Sequence, residues 1–452
     1  MTFPRPFDSL LLEVLGSHRD WEAQWPSVSP DATQRLDPDA LRAPLAELAR
    51  RLRENYPHFH PLYAAQMLKP PHPAAVLGYL AAMLVNPNNH ALDGGRATAA
   101  MEKEAVAELA RMFGYTNDRF LGHLTASGTI ANLEALWIAR ELHPELPIAF
   151  GADAHYTHKR MCEVLRARHV ELPATAHGQL DLAALDALLA EQPLGTVVVT
   201  LGTTGLGALD PLAEVLERSA RHGFRVHVDA AYGGYYRLLA GSDPSLAAFA
   251  ATAGADSIVV DPHKHGLQPY GCGCVLFADA SVAAKYRHAS PYTYFSSPEH
   301  HPGETTLECS RAGAAAAALW LTMQHMPLRG PGGMAPLLAK CLAGARALAG
   351  VLRASKKYAL LVEPALDIVT YFPRAGAASA VSAATDAIFA RAEAAPEPLY
   401  LAKLTVDASR FRTLHPEVAI DAPRVTVLRS CIMRPEQADW VDAIVGRLEA
   451  LA

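Results

Sequence analysis

Residues 259–277 read VVDPHKHGLQPYGCGCVLF. An apolar strand runs into a turn that sets Lys264 between His263 and His265, and the chain returns through small residues. A partly buried lysine with a lowered pKa is nucleophilic toward carbonyls. The same lysine in an exposed polar turn would do no chemistry. Thirty-five positions earlier, HVDAAYGGYY (227–236) ends a buried strand on Asp229. A carboxylate there needs a cationic partner. The small residues after it leave room for a flat object close to the backbone. TASGTIANLEALWIAR (125–140) opens a small-residue loop into an amphipathic helix. Backbone N–H groups of Ser127, Gly128 and Thr129 at such a start favour an anion, with two hydroxyls as further donors. An ordinary Ser/Thr N-cap has the same signature. FGADAHYTHKR (150–160) sets His155 between a strand and a helix, as a capping, core or functional group. TLGTTG (200–205) sets Thr203 and Thr204 at another strand end.

In a doubly wound sheet, ligands bind beyond the carboxyl ends of the strands, so these segments share one zone. Together they offer an anion cradle, an aromatic ring, a carboxylate, a hydroxyl and a reactive lysine. Pyridoxal phosphate uses all five: a phosphate, a flat ring, a ring nitrogen that needs an acid, a phenolic oxygen and an aldehyde. A dinucleotide is not indicated, because neither TASGTIANLE nor GTTGLGALD has the G-x-G-x-x-G spacing. Cys272 and Cys274 read as strand packing, and no metal site is expected.

The elements that must position these groups follow a βα rhythm from about residue 99. Strands are expected at PIAF (147–150), HVEL, GTVVVTL (195–201), RVHVDAA and SIVVD (257–261). Helices are expected at 156–166, DLAALDALLAEQ, PLAEVLERSARHG and 246–253. Strands apolar on both faces, separated by helices, predict a mostly parallel sheet covered on both sides. PLRGPGGMAP reads as a linker. Beyond it lie helix 336–354, strands near 358–372, helix 381–394, strands LYLAKLTV and RVTVLRSCIM, and a final helix. The expected division is an N-terminal segment (1–95), a large α/β domain (96–330) and a small α+β domain (331–452).

The bulk composition narrows the partners. A chain of 452 residues, half hydrophobic and 19% charged, can bury more than one core. Net charge of −6 argues against nucleic acid. Six cysteines form no paired framework, so a reduced, cytoplasmic protein is expected. The opening MTFPRPFDSLLLEVLG carries Asp8 and Glu13, unlike a secretory core. The apolar runs 74–85 and 314–323 fall short of the ~20 residues that span a bilayer, so no membrane partner is expected.

The segments HPLYAAQMLKPPHP, HVDAAYGG, DPHKHG, ECSRAG and VTVLRSCIMRP resemble the group II pyridoxal-phosphate decarboxylases. That group acts on glutamate, aromatic amino acids, tyrosine, aspartate and diaminobutyrate; sphingosine-phosphate lyase is a more distant relative. The resemblance covers nearly the whole chain. It implies the type I fold of the pyridoxal-phosphate-dependent transferases, like that of aspartate aminotransferase. It implies decarboxylation of an L-amino acid to its amine and CO2. Alternatives are carbon–carbon cleavage and oxidative decarboxylation to an aldehyde. By resemblance, Lys264 links to the cofactor aldehyde, Asp229 pairs with the ring nitrogen, His155 stacks on one ring face and Ala231 lies against the other. Ser127, Gly128 and Thr129 hold the phosphate, with Asp261 and His263 nearby. Thr203 meets the phenolic oxygen, and Arg429 binds the substrate α-carboxylate. Ser310 lies near the phosphate of a second subunit. Gln66 matches a glutamine of glutamate decarboxylases, a hint of an acidic side chain. Tyr292 or Tyr294, in the loop 288–305, would donate the proton. Many relatives have Asn where this chain has Asp261, so that carboxylate needs neutralising, by His263 or an arginine. The resemblance further implies a homodimer with shared sites, clasped by the N-terminal segment.

Overall fold

The computed structural model describes residues 6–116, 119–287 and 301–451. Its larger sheet has seven strands: β1 (Leu121–Thr125), β2 (Ile148–Gly151), β3 (His169–Leu172), β4 (Thr196–Thr200), β5 (Arg225–Asp229), β6 (Ser257–Val260) and β7 (Gly273–Phe277), in the order β1-β7-β6-β5-β4-β2-β3. Strands β3, β2, β4, β5 and β6 run parallel, while β7 is antiparallel to both β6 and β1. The reversed β7 therefore returns β1 to the direction of β6. That brings Thr125 and the loop after it to the same sheet edge as Asp229 and Lys264.

The central strands read TVVVT, RVHVD and SIVV, and almost every residue in them is buried. Strands buried on both faces in this way are stable only with helices above and below. The covering helices include Leu92–Phe113, Gly128–Leu142, Leu182–Glu191 and Leu212–His222. The segment expected as helix 246–253 is a run of 3₁₀ turns, Pro244–Gly254, with Leu246 off helical geometry. The small residues of β7 have a steric cause. A Cβ on Gly273 would stand 2.6 Å from the backbone carbon of Ser127 and 2.7 Å from Thr125 Oγ1. The strand passes directly beneath the loop that starts helix Gly128–Leu142.

The second sheet is antiparallel: β8 (Tyr358–Leu360), β9 (Ile368–Pro373), β10 (Ala402–Asp407) and β11 (Arg424–Cys431), in the order β10-β11-β9-β8. Alternation along β8 and β9 gives it two faces. Tyr358, Leu360 and Tyr371 pack with the helices Ala335–Ala354 and Val441–Leu451. Ala359, Leu361 and Phe372 pack with Leu206 and Ala208 from the loop after β4. The small sheet thus clamps the loop that carries Thr203 and Thr204. An ion pair of Arg410 with Asp153, at 2.7 and 2.8 Å, ties it to the loop after β2. Helix Ala335–Ala354 is long and apolar enough to cross a membrane by length and composition. Here Leu338, Leu342, Leu348 and Leu352 are buried in the protein core.

The N-terminal part is stitched to the rest. Helix Pro73–Val85 packs on helix Gly313–His325. Leu62 and Ala64 exchange backbone hydrogen bonds with Tyr400 at 3.0 Å, and Cys431 N–H donates to Ala64 at 3.0 Å. This pairing carries Gln66 to the end of β11.

Candidate active site

Lys264 lies in a tight turn, its N–H donating to Asp261 C=O at 2.9 Å. The ammonium Nζ stands 3.1 Å from Asp261 Oδ2, and His263 Nε2 lies 3.5 Å from the same oxygen. The cation paired with the extra carboxylate is therefore Lys264, with the His263 ring beside it and no arginine among the described partners. Burial lowers the pKa of His263, and the Asp261 charge only partly opposes this. Asp261 Oδ1 is buried without a hydrogen-bond partner among the described residues.

Asp229, at the end of β5, is buried and fully engaged. Oδ2 accepts from His158 Nε2 at 2.8 Å, and Oδ1 accepts from Ala231 N–H at 3.0 Å. Burial alone would raise its pKa. The hydrogen bond from His158, the Ala231 N–H and the nearby Lys264 together hold it well below the usual carboxylate range. His158 is the partner the sequence reading missed. His155 precedes helix Thr157–Leu165, its Nδ1 2.6 Å from Thr157 Oγ1, and burial lowers its pKa.

The loop after β1 gives the anion cradle. Ser127 caps helix Gly128–Leu142, its hydroxyl accepting from Ile130 N–H at 3.3 Å. The first N–H groups of a helix have no intrahelical partner and carry the positive end of its dipole. A Cβ on Gly128 would stand 2.5 Å from Asp261 Oδ2, so only glycine lets this helix start approach the lysine turn.

These parts enclose a cavity of about 250 Å³. Ser127, Gly128, Thr129, His155, Asp229, Ala231, Asp261, His263 and Lys264 all line it, joined by Asn132, Thr157, Thr200, Gly202, Thr204 and Tyr232. Thr203 does not. Its buried hydroxyl accepts Ala208 N–H at 3.0 Å to close its own loop, which leaves Thr204 on the cavity wall. Thr203 is the residue expected at the site from the sequence; its side chain is turned into its own loop and Thr204 takes the place on the wall. Ser310 also lies outside the cavity of its own chain, its hydroxyl accepting from Asn88 at 3.1 Å. Tyr292 and Tyr294 lie outside the described residues. Cys272 and Cys274 are buried, and burial pushes both thiols up.

Arg429, in β11, is buried behind Thr204. It donates to Thr204 C=O at 2.7 Å, Gly205 C=O at 3.2 Å and Gln66 Oε1 at 3.2 Å. Among the described residues these three acceptors carry no charge. A buried guanidinium so placed wants an anion. Lys69 is used elsewhere, donating to Met433 C=O at 3.1 Å.

The cavity fits pyridoxal phosphate by its chemistry. An amine, an ionised carboxylate and a helix start meet around a space whose near wall is Gly128 and Ala231, and Asp261 presents an unpartnered oxygen there. Residues 28–372 match a family model described as the pyridoxal-dependent decarboxylase conserved domain. A probable L-tyrosine/L-aspartate decarboxylase of Methanothermobacter thermautotrophicus is 32% identical over 282 residues, covering 61% of this chain and 74% of that protein. An L-tyrosine decarboxylase of Enterococcus faecium is 28% identical over 433 residues, covering 71% and 70%. The Oryza sativa TDC structure with PLP and tryptamine superposes with a TM-score of 0.77 at 19% identity, covering 99% of each chain.

Proposed function

The chain belongs to the pyridoxal-dependent decarboxylase family and is a pyridoxal-phosphate-dependent amino acid decarboxylase; from that premise we propose its substrate, residue roles and assembly. The substrate is an L-amino acid of the tyrosine/aspartate class, the substrates named for the relatives. The observation that carries binding of an amino acid is Arg429, a buried cation with neutral acceptors only, joined to the cavity through Thr204. It binds the α-carboxylate. Gln66 Oε1 holds Arg429, and the Gln66 amide remains the candidate receptor of an acidic side chain. Carbon–carbon cleavage is not favoured.

Bound pyridoxal phosphate supplies an aldehyde for the substrate amine and a protonated ring that accepts the electron pair left when CO2 departs. The protein does the rest. Lys264 holds the cofactor until substrate replaces it. Ser127, Gly128 and Thr129 anchor the phosphate. His155 and Ala231 form the two walls of the ring slot, and Asp229 keeps a proton at the ring nitrogen. The low dielectric around the buried side chains of the cavity strengthens each of these interactions.

The protein works as a cytoplasmic homodimer, with residues 1–95 as the clasp, 96–330 as the cofactor domain and 331–452 as the small domain. Trp21, Leu45, Leu48 and Leu52 are exposed on the N-terminal helices and Trp25 just beyond the first of them, more apolar surface than a monomer ordinarily leaves to water. An apolar cavity of about 430 Å³ beside helix Pro73–Val85 adds to that face. Ser310 would reach a cofactor only across such an interface. Six free cysteines suit a reducing compartment. Light scattering should give twice the chain mass; a fully active monomer would contradict the clasp.

The decisive assay incubates cofactor-loaded protein with a panel of L-amino acids and identifies products by mass spectrometry. Tyramine from tyrosine or β-alanine from aspartate is expected. An aldehyde with peroxide, or turnover confined to other amino acids, would overturn the reading.

A further inference from the structure

His158 is fully buried, yet its ring serves only one partner. Nε2–H donates to Asp229 Oδ2 at 2.8 Å, and Nδ1 meets no hydrogen-bond partner among the described residues. It sits one helical turn after His155, so a single segment supplies both a cavity wall and the support of the carboxylate behind it. The groups facing His158 are Asp229, His155, His227 and Asp210. His227 is held in turn by Ser257 Oγ and Asn132 Oδ1, each at 2.9 Å. His158 is therefore locked in place, and an imidazole in a fully buried site is retained at a cost unless it does something.

We propose that His158 is a positioning residue for Asp229: its Nε2–H fixes the carboxylate and leaves the shared proton on the cofactor ring nitrogen. The inference rests on the decarboxylase reading above. Its logic is a competition for one proton. Asp229 and the ring nitrogen share it, and the stronger base takes it. Burial makes a carboxylate more basic. A hydrogen bond to the ionised form makes it less basic, and His158 supplies that bond. Without it the proton moves to Asp229, the ring loses its positive charge, and the electron sink weakens. No other bond changes. Lys264, also near Asp229, cannot replace His158, because it is committed to Asp261 and to the cofactor.

The test loads the protein with cofactor carrying 15N at the ring nitrogen and reads its NMR shift in wild type, His158→Gln and His158→Phe. Wild type and the Gln variant, which keeps a donor, should show a protonated ring. The Phe variant should shift toward the unprotonated value. Its kcat should fall about ten- to a hundredfold, the range for one lost hydrogen bond to a charged group, with KM unchanged. A Phe variant with the wild-type shift would overturn the proposal. If the Phe variant does not fold, as judged by circular dichroism, 15N-histidine spectra of the wild-type holoenzyme decide. A proton on Nε2 and a bare Nδ1 support the role; a bare Nε2 defeats it. A wild-type protein that never binds the cofactor would instead strike the decarboxylase reading.

Discussion

Two carboxylates meet at the lysine, and their partners divide the work. Asp261 pairs with the Lys264 ammonium at 3.1 Å, while Asp229 is bound by His158 and Ala231. Asp229 is thus held ionised by its own partners, and Asp261 ties the lysine into its turn. The two threonines after β4 divide in the same way. Thr203 Oγ1 closes its loop by accepting Ala208 N–H, and Thr204 lines the cavity. Thr204→Val should slow turnover about tenfold and alter the absorbance of the bound cofactor. Thr203→Val should instead cost about 1–3 kcal/mol of stability, because it orphans a buried N–H, and leave the cofactor spectrum unchanged. Denaturant titration and spectra of both variants check this. The opposite assignment would restore Thr203 to the site.

At the scale of elements, the site depends on how closely a helix start can approach the lysine turn. Gly128→Ala would place a methyl 2.5 Å from Asp261 Oδ2. One of the two segments must then retreat. Cofactor affinity should drop at least about tenfold while the fold survives, as read by equilibrium dialysis; unchanged affinity would remove the close approach from the account. The central strands were legible in the sequence because TVVVT and SIVV are apolar on both faces and RVHVD keeps its valines on one. The lysine and the carboxylate were legible because each stands at the end of one of these strands, and the cradle because its small residues open an amphipathic helix. β1, LGHLT, was not read as a strand: five residues with a glycine and a histidine show no clear alternation, and its place is set by β7. His158 was not read because it lies inside a helix, where one more polar residue carries no signal without its tertiary partner. Its spacing of three from His155 was the available hint. The choice between Thr203 and Thr204 depends on the turn at Gly202, with φ of +108°, which sequence does not specify.

At the scale of the molecule, many buried histidines set the response to acid. Burial depresses His58, His60, His72, His155, His263 and His265, and brings His227 down to about 3. A histidine with a depressed folded pKa takes up a proton more readily when unfolded. Its stabilisation is present above an unfolded value of about 6.5 and is lost as pH falls toward the folded value. For His227 that window runs from about 6.5 to about 3. Asp210, pushed up to about 7 by burial, works the other way: its ionisation costs stability as pH rises from about 4 to about 7. It offsets roughly one histidine, so the net slope belongs to the rest. Denaturant unfolding of the cofactor-free protein should show stability falling as pH drops from 7 to 5. A flat or rising curve would contradict the burial of these rings.

The most direct test of the whole account asks where the cofactor is bound. Holoprotein treated with borohydride should fix the cofactor irreversibly on a single lysine, and peptide mapping should place it within DPHKHG at Lys264, with Lys264→Ala leaving no adduct. An adduct on Lys69 or any other lysine, or one that survives in Lys264→Ala, would contradict the site.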